Sequence, residues 1–351
     1  MSSTVTKDRT AGLSALLDSA RRITIVTHTR PDGDAIGSCV AMSSYLRDTL
    51  SKDDVMVVLP DSVPDSLAFI PDSTDEGRIL SHDRQPELCD GRIACSDLII
   101  GLDISGFERT DSLKGSLRAS TASKVLVDHH LNPCTDEFDL LFSETEISST
   151  CELLYWLLLS TAGIDGEAGR IPSHALDALM AGMTTDTNNF ANSVFPSTLQ
   201  MASELLAAGV DRDRCLYELY NRYRENRLRM IGYALKDKLT ILDNGAAYIV
   251  LKAAELASFD IREGELEGLV NLPLGIDSVR MSILLKEDDG FFRVSIRSKK
   301  GTSANAMART FFNGGGHEQA SGGRLYFPRD IAGPSCAEDY VEDAASRFFK
   351  I

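Results

Sequence analysis

The sequence predicts an α/β fold, with a parallel-sheet, Rossmann-like domain joined by a long helix to a smaller mixed α+β domain. Three observations carry this. Short apolar runs rich in Ile and Val alternate with stretches of helical spacing, the pattern of βαβ units. Some of those runs are continuously apolar, as strands buried on both faces are. Past a charged helical stretch at 211–239 the pattern changes to strand, strand, strand, helix and a glycine cluster.

The elements follow in order. "LSALLDSA" (13–20) has helical spacing, and "ITIV" (23–26) is β-branched and reads as a strand. "DAIGSCVAMSSYLRDTL" (34–50) is helical, with Asp34 at its start. "VMVVLP" (55–60), "DLIIGLDIS" (97–105) and "SKVLVDHH" (123–130) are strands; "SSTCELLYWLLLSTAG" (148–163) and "SHALDALMAGMTTDT" (173–187) are helices. The polar stretch 71–92 reads as irregular. Residues 211–239 read as one long helix connecting two domains. Beyond it "AAYIVL", "SVRMSILLKE" (278–287) and "GFFRVSIRSK" (290–299) are strands separated by short turns, "SANAMARTFF" (303–312) is a helix, and "NGGGHEQASGG" (313–323) is glycine-rich. The expected divisions are 1–210, a helical linker over 211–238, and 239–351.

Bulk properties narrow the function. At 351 residues, 43% hydrophobic and 25% charged, the chain can bury more than one core. A net charge of −16 argues against coating long duplex nucleic acid, which needs lysine and arginine against phosphate. An anionic substrate would need a local cationic site, which bound metal supplies. Seven cysteines scattered singly suit free thiols in a reducing compartment. The N-terminal "MSSTVTKDRT" has no signal-peptide core, and "LLYWLLLS" is far too short to span a bilayer. A cytoplasmic protein with no membrane partner is expected.

The chemistry gathers where strands end. His28, Asp32 and Asp34 follow the first strand, Asp103 ends another, and Asp128, His129 and His130 end a third; Asp186 closes a helix. A parallel sheet brings strand ends to one rim, where ligands of such folds sit. A single acid at a helix start is ordinarily a cap, and "PDGD" alone is ordinarily a turn. It is their conjunction at one rim that points to metal. Imidazole and carboxylate suit manganese, magnesium or iron rather than zinc–sulfur chemistry. The donors suffice for two ions, the arrangement that activates a hydroxide for attack on phosphorus. In the second domain, consecutive glycines can expose backbone N–H groups as an anion nest, and Arg297 has a fork that fits phosphate.

Taken in order, "HTRPDGDAIGS", the Asp at 103, "DHH" at 128–130 and "TTDT" at 184–187 resemble the DHH phosphoesterase superfamily, and "GGGHEQASGG" resembles its DHHA1 domain. The resemblance spans residues 10–330 and is nearest to the NrnA-type subfamily. It implies a manganese-dependent hydrolase that attacks phosphoester bonds with a two-metal hydroxide, acting on very short RNA and on pAp (3′-phosphoadenosine 5′-phosphate). His28 and Asp32 would hold the first ion, Asp34, His129 and Asp186 the second, with Asp103 bridging. Asp128 would orient a histidine, and His130 would face substrate and stabilise or protonate the leaving oxygen. Arg297, Ser298, Gly315, Gly316, His317 and Ser321 would clamp substrate. Magnesium or iron would suit the same donors, and a homodimer is compatible with the subfamily. Asn188 departs from the pattern, standing where glycine is usual. Competing readings are exopolyphosphatase, pyrophosphatase, linear or cyclic dinucleotide phosphodiesterase, or a catalytically silent nucleotide sensor.

Overall fold

Alternation of side chains along each strand explains the first sheet. After helix α1 (Lys7–Ser19) comes strand β1 (Arg22–Val26), whose Ile23 and Ile25 enter one core while Val26 enters another. Because successive side chains point to opposite faces, a continuously apolar strand must be covered on both. Helix α2 (Gly33–Ser44) follows, then β2 (Asp54–Leu59), β3 (Ile79–Ser81), α3 (Pro86–Ala94), β4 (Leu98–Leu102), α4 (Lys114–Ala119), β5 (Ser123–Asp128) and β6 (Leu140–Ser143). In β4, Leu98, Ile100 and Leu102 feed the first core and Ile99 the second; β5 repeats this with Val125 and Val127 against Leu126.

All neighbours in this sheet pair in parallel, in the order β3-β2-β1-β4-β5-β6. The chain therefore runs outward one way from β1 and then returns to begin again at β4. Between β1 and β4 lies the switch point, where the connections leave in opposite directions and open a crevice beyond the strand ends.

Helices α5 (Thr150–Leu159), α6 (Ser173–Asp186), α7 (Pro196–Ala207) and α8 (Arg212–Leu216) complete this unit. Two glycines decide how close α2 and α6 come. A Cβ on Gly37 would stand 2.6 Å from the Ala178 carbonyl oxygen, and one on Gly182 would stand 2.3 Å from the Cys151 sulfur and 3.1 Å from the Asp34 Cα. Backbone contact at these points carries Asp34, in the first turn of α2, toward Asp186 at the end of α6.

This computed structural model describes residues 5–350, in two compact units divided between Arg222 and Tyr223. The expected continuous helix over 211–239 is interrupted there. Helix α8 runs on to Asn221, Arg222 leaves helical geometry (φ −110°, ψ 55°), and α9 (Glu225–Tyr233) starts after an extended Arg224. Opposite sides of the break are held by different units. The Tyr220 hydroxyl donates to the Thr184 carbonyl at 3.3 Å, whereas Arg224 binds Asp260 and Glu265. Tertiary contacts thus override a helical pattern of modest intrinsic strength.

The second unit has strands β7 (Thr240–Ile241) and β8 (Ala246–Leu251), helix α10 (Ala253–Ser258), β9 (Met281–Asp288), β10 (Phe291–Ser298), α11 (Ala304–Phe311), β11 (Gly315–Gly316), β12 (Ala320–Tyr326) and α12 (Ala337–Phe348). Its sheet is mixed, in the order β11-β12-β10-β9-β8-β7. The strands are not all joined by short turns as expected: β8 and β9 pair in parallel, which obliges the chain between them to cross over. The 71–92 stretch, expected to be irregular, contains β3 and α3; a three-residue edge strand is too short to show a periodicity. Strand β6, another edge, was hidden for the same reason. No helix among the described residues is long and apolar enough to cross a membrane.

Candidate metal centre

Three loops at the carboxyl rim of the first sheet, together with the end of α6, deliver the side chains. His28 lies two residues beyond β1, Asp103 immediately follows β4 at the switch point, and His129 and His130 follow β5. Asp103 adopts φ +59°, a conformation that non-glycine residues take up at a cost and that is concentrated at functional sites.

His28 shows what the centre requires. Its Nδ1 sits 2.8 Å from the Thr29 carbonyl oxygen, which can only accept, so the ring proton of the neutral form belongs on Nδ1. Nε2 then presents a lone pair to Asp103 Oδ2 at 3.2 Å and Asp32 Oδ1 at 3.8 Å. The atom is buried and meets no hydrogen-bond geometry with either. Three electron-rich atoms facing one point need a proton or a metal ion among them.

A second focus lies beside the first. His129 Nε2 is 3.5 Å from Asp186 Oδ2, 3.9 Å from Asp34 Oδ2 and 3.6 Å from Asp103 Oδ1. Asp103 thus turns one oxygen to each histidine. His28, Asp32 and Asp103 offer one compact ligand set, and Asp34, His129 and Asp186 another.

Local structure fixes these groups. Asp32 caps α2, accepting from the Asp34 and Ala35 N–H groups at 3.1 Å, so it serves as a cap and as a member of the cluster. Asp34 accepts from the Thr150 and Cys151 N–H groups at 2.7 and 2.9 Å, the start of α5; free N–H groups at a helix start favour a carboxylate. The Thr150 hydroxyl donates to Asp103 Oδ1 at 3.0 Å. Asp61, just beyond β2, accepts from the Thr29 hydroxyl at 2.5 Å and the Arg30 N–H at 2.6 Å, tying down the segment after His28.

Crowding of carboxylates sets the electrostatics. Burial, reinforced by the charges of Asp103 and Asp186, pushes Asp34 well above the usual carboxylate range. For Asp103 burial acts in the same direction, but the adjacent His28 and the neighbouring His130 and His129 outweigh it and hold it well below that range. Burial would lower His28; the closeness of the Asp103 and Asp32 carboxylates reverses this and raises it to about 10. The cluster is built to take up positive charge. Asp32, Asp34 and Asp103 form no ion pair with lysine or arginine among the described residues. Sulfur does not compete: burial, together with the neighbouring aspartates, pushes the Cys39 and Cys151 thiols well above their usual value. The donors are imidazole and carboxylate alone, a set that fits manganese, magnesium or iron.

Asp128 does not join either ligand set as such. It accepts from His130, from Nδ1 at 2.7 Å and from the N–H at 3.1 Å, and so fixes that ring. The far nitrogen, Nε2, lies 2.7 Å from Arg109 NH1. Arginine only donates, so Nε2 accepts and the ring proton rests on Nδ1. This geometry does not support the expected use of His130 as a proton donor to a leaving group. Arg109 itself was not anticipated, because a lone arginine in a loop carries no sequence signal. The N–H groups of Thr150 and Cys151 were missed as well, since a backbone donor has no residue-type signature.

Asn188 takes φ +47°, followed by Asn189 at +56° and Phe190 at +65°. Asparagine accordingly adopts the left-handed turn that glycine would otherwise make. Asn188 and Asn189 line a cavity of about 350 Å³ with Leu216, Tyr220 and Asn221.

The clamp residues expected in the second unit lie in neighbouring strands. Arg297 pairs with Ala320 and Ile296 with Ser321 across β10 and β12, and Ser321 pairs with Gly316 across β11 and β12. The glycine run forms this hairpin rather than a nest, with the Gly314 and His317 N–H groups donating to the Ala308 and Ala320 carbonyls. Glycine is required sterically: a Cβ on Gly314 would stand 1.9 Å from the Gly322 carbonyl oxygen. The Ser298 and Ser321 hydroxyls donate inward, to the Thr302 and His317 carbonyls at 2.6 and 2.8 Å. The Ser321 bond braces the β11–β12 hairpin that carries Gly315 and His317, and the Ser298 bond braces the turn after β10, the strand of Arg297.

Known proteins share this layout. Residues 22–183 match the DHH family N-terminal domain and residues 245–335 the DHHA1 domain. The bifunctional oligoribonuclease and PAP phosphatase NrnA of Bacillus subtilis (strain 168) is 30% identical over 305 residues, 85% of this chain and 88% of the relative. A probable NrnA from Streptococcus mutans serotype c is 28% identical over 87% of this chain and 89% of its own length. The crystal structure of an exopolyphosphatase-related protein from Bacteroides fragilis superposes with a TM-score of 0.89 at 33% identity, covering 100% of this chain and 99% of that one. With both domain models met in order and a relative matched along most of its length, the chain belongs to the DHH family, among the members that carry a DHHA1 domain.

Proposed function

We propose that this protein is a divalent-metal-dependent phosphoesterase that hydrolyses short oligoribonucleotides and pAp. The observation that carries the reading is the convergence of His28, Asp32, Asp34, Asp103, His129 and Asp186, with the two Asp103 oxygens turned to different histidines. The names of the relatives support the substrate class. His28 and Asp32 would hold one ion and Asp34, His129 and Asp186 the other, with Asp103 offering one oxygen to each set; manganese is the metal proposed. When bound, the ions supply positive charge against a phosphoryl group and make water a competent nucleophile at neutral pH.

The chain's own residues do the rest. Capping and helix-start N–H groups hold Asp32 and Asp34 in place, so the donors need little rearrangement. Asp128 holds His130 in one tautomer and one orientation. Arg297, Ser298, Gly315, Gly316, His317 and Ser321 form the substrate-binding surface of the DHHA1 unit, with Arg297 and His317 as its phosphate-binding side chains and the serines fixing the backbone around them.

A second reading is favoured by one observation, the likeness to the Bacteroides fragilis protein described as exopolyphosphatase-related. Turnover of pAp, pApA, short RNA, pyrophosphate and polyphosphate, each with manganese, separates the two. The proposal expects pAp and short RNA to lead. Preference for polyphosphate, or turnover of none of the nucleotides, would overturn it.

A further inference from the structure

We infer that Arg109 is a phosphate-gripping residue of the first unit, contacting the non-bridging oxygens of the scissile phosphoryl group. The inference rests on the phosphoesterase reading above and adds a substrate contact on the rim of the metal centre.

Arg109 is built into place. It lies in the short helical segment Phe107–Leu113 that follows Asp103. Its carbonyl accepts from the Thr29 N–H at 2.9 Å, next to His28, and its own N–H donates to the Gly106 carbonyl at 3.1 Å. The same segment is pinned by the Phe107 N–H, which donates to Glu137 at 2.6 Å. The guanidinium therefore starts from a backbone fixed to two of the rim loops.

Some arginines of this unit meet carboxylates: Arg118 pairs with Glu108 and Glu137, and Arg47 with Asp75. Arg109 meets a neutral imidazole instead, and no ion pair among the described residues compensates it. His130 can hold the guanidinium only by accepting, because Asp128 already takes the Nδ1 proton. The Asp128–His130 pair thus aims a cation without neutralising it. One N–H is used, and the planar fork retains others that suit phosphate oxygens. The site also needs such a group: His130 Nδ1 lies 3.5 Å from Asp103 Oδ1, so the guanidinium stands one imidazole away from the clustered acids. In a protein of net charge −16, an uncompensated cation there favours an entering phosphate.

The test uses the full-length protein with manganese and compares wild type with Arg109→Gln, Arg109→Lys and Arg109→Ala. Glutamine keeps a neutral donor for His130, so a mere brace would survive it. Three quantities are read: manganese stoichiometry, affinity for inorganic phosphate, and kcat on pAp. The inference expects unchanged manganese, phosphate affinity at least about tenfold weaker in the glutamine variant, kcat lower by about 10²-fold, the size of losing one charge-stabilising donor, and partial recovery of the alanine variant by added guanidinium. Wild-type phosphate affinity in Arg109→Gln, or loss of manganese from it, would overturn the assignment. A wild-type protein that binds phosphate through Arg109 yet turns over no nucleotide would leave the assignment standing and defeat the nucleotide reading.

Discussion

The first unit holds two clusters of a histidine with aspartates, and they differ in one respect. In the rim cluster, His28 faces Asp32 and Asp103 with no lysine or arginine paired to those carboxylates among the described residues. In the other, His174 faces Asp72 at 3.4 Å and Asp75 at 2.8 Å, and Arg47 binds Asp75 at 3.1 Å. Asp75 also closes a capping box with Asp72, accepting its N–H at 3.2 Å. The residue types are alike, and both sets are close enough to hold an ion. What separates them is charge balance. The protein supplies a cation to the second cluster, which ties 72–75 to the helical turn that follows α2 and to α6. The first is left to be balanced from outside. In the proposed reading, this difference in counter-charge is what marks the rim cluster, and not the other, as the metal site.

Substitutions can break this contrast, beginning with the largest effect. Asp103→Asn is expected to cost about 10²–10³-fold in kcat on pAp and to lower bound manganese, read by turnover assay and elemental analysis. Asp75→Asn is expected to do the reverse. It leaves Arg47 and His174 without their buried partner, a loss of about 3 kcal/mol in unfolding free energy, while manganese per folded chain stays at the wild-type value; denaturant unfolding and elemental analysis check both. If Asp75→Asn lost metal and Asp103→Asn lost only stability, the two roles would be exchanged.

A third change sharpens the contrast from outside the first unit. Arg297→Ala is expected to raise KM for pAp about tenfold, equivalent to roughly 1.4 kcal/mol, with manganese content unchanged. Loss of metal in that variant would contradict the division of labour between the units.

The smallest effect is on pH. His174 is raised above 6.5: burial alone would lower it, but its bond to Asp75 and the charges of Asp75 and Asp72 outweigh burial and the opposing charge of Arg47. A histidine raised on folding adds stability that is complete below pH 6.5 and is lost as pH rises through its folded value. Unfolding midpoints of the wild type should therefore decline above pH 6.5, and His174→Gln should flatten that decline. An identical slope in the variant would contradict the assignment.

Much of this was legible in the sequence, and the reasons are physical. Strand ends in a parallel sheet share a rim, so His28, Asp103 and the 128–130 triplet could be brought together from periodicity alone. Asp186 arrives by another route, through the glycine contacts of α2 and α6, which a helical pattern does not reveal. The left-handed turn at Asn188 was readable from the residue type. Short edge strands, the break at Arg222–Arg224 and the Arg109–His130 contact were not. Each depends on a partner distant in the chain, as Asp260 and Glu265 are for Arg224. The satellite cluster shows the same limit from the other side, since nothing near Asp75 in the sequence indicates that Arg47 will neutralise it.

Equilibrium manganese binding to the wild type, Asp103→Asn and Asp75→Asn, scored as ions per folded chain, tests the charge-balance claim most directly. Two ions are expected in the wild type and in Asp75→Asn, with loss of binding in Asp103→Asn. A wild type that takes up no manganese, or an Asp103→Asn variant that keeps both ions, would contradict it.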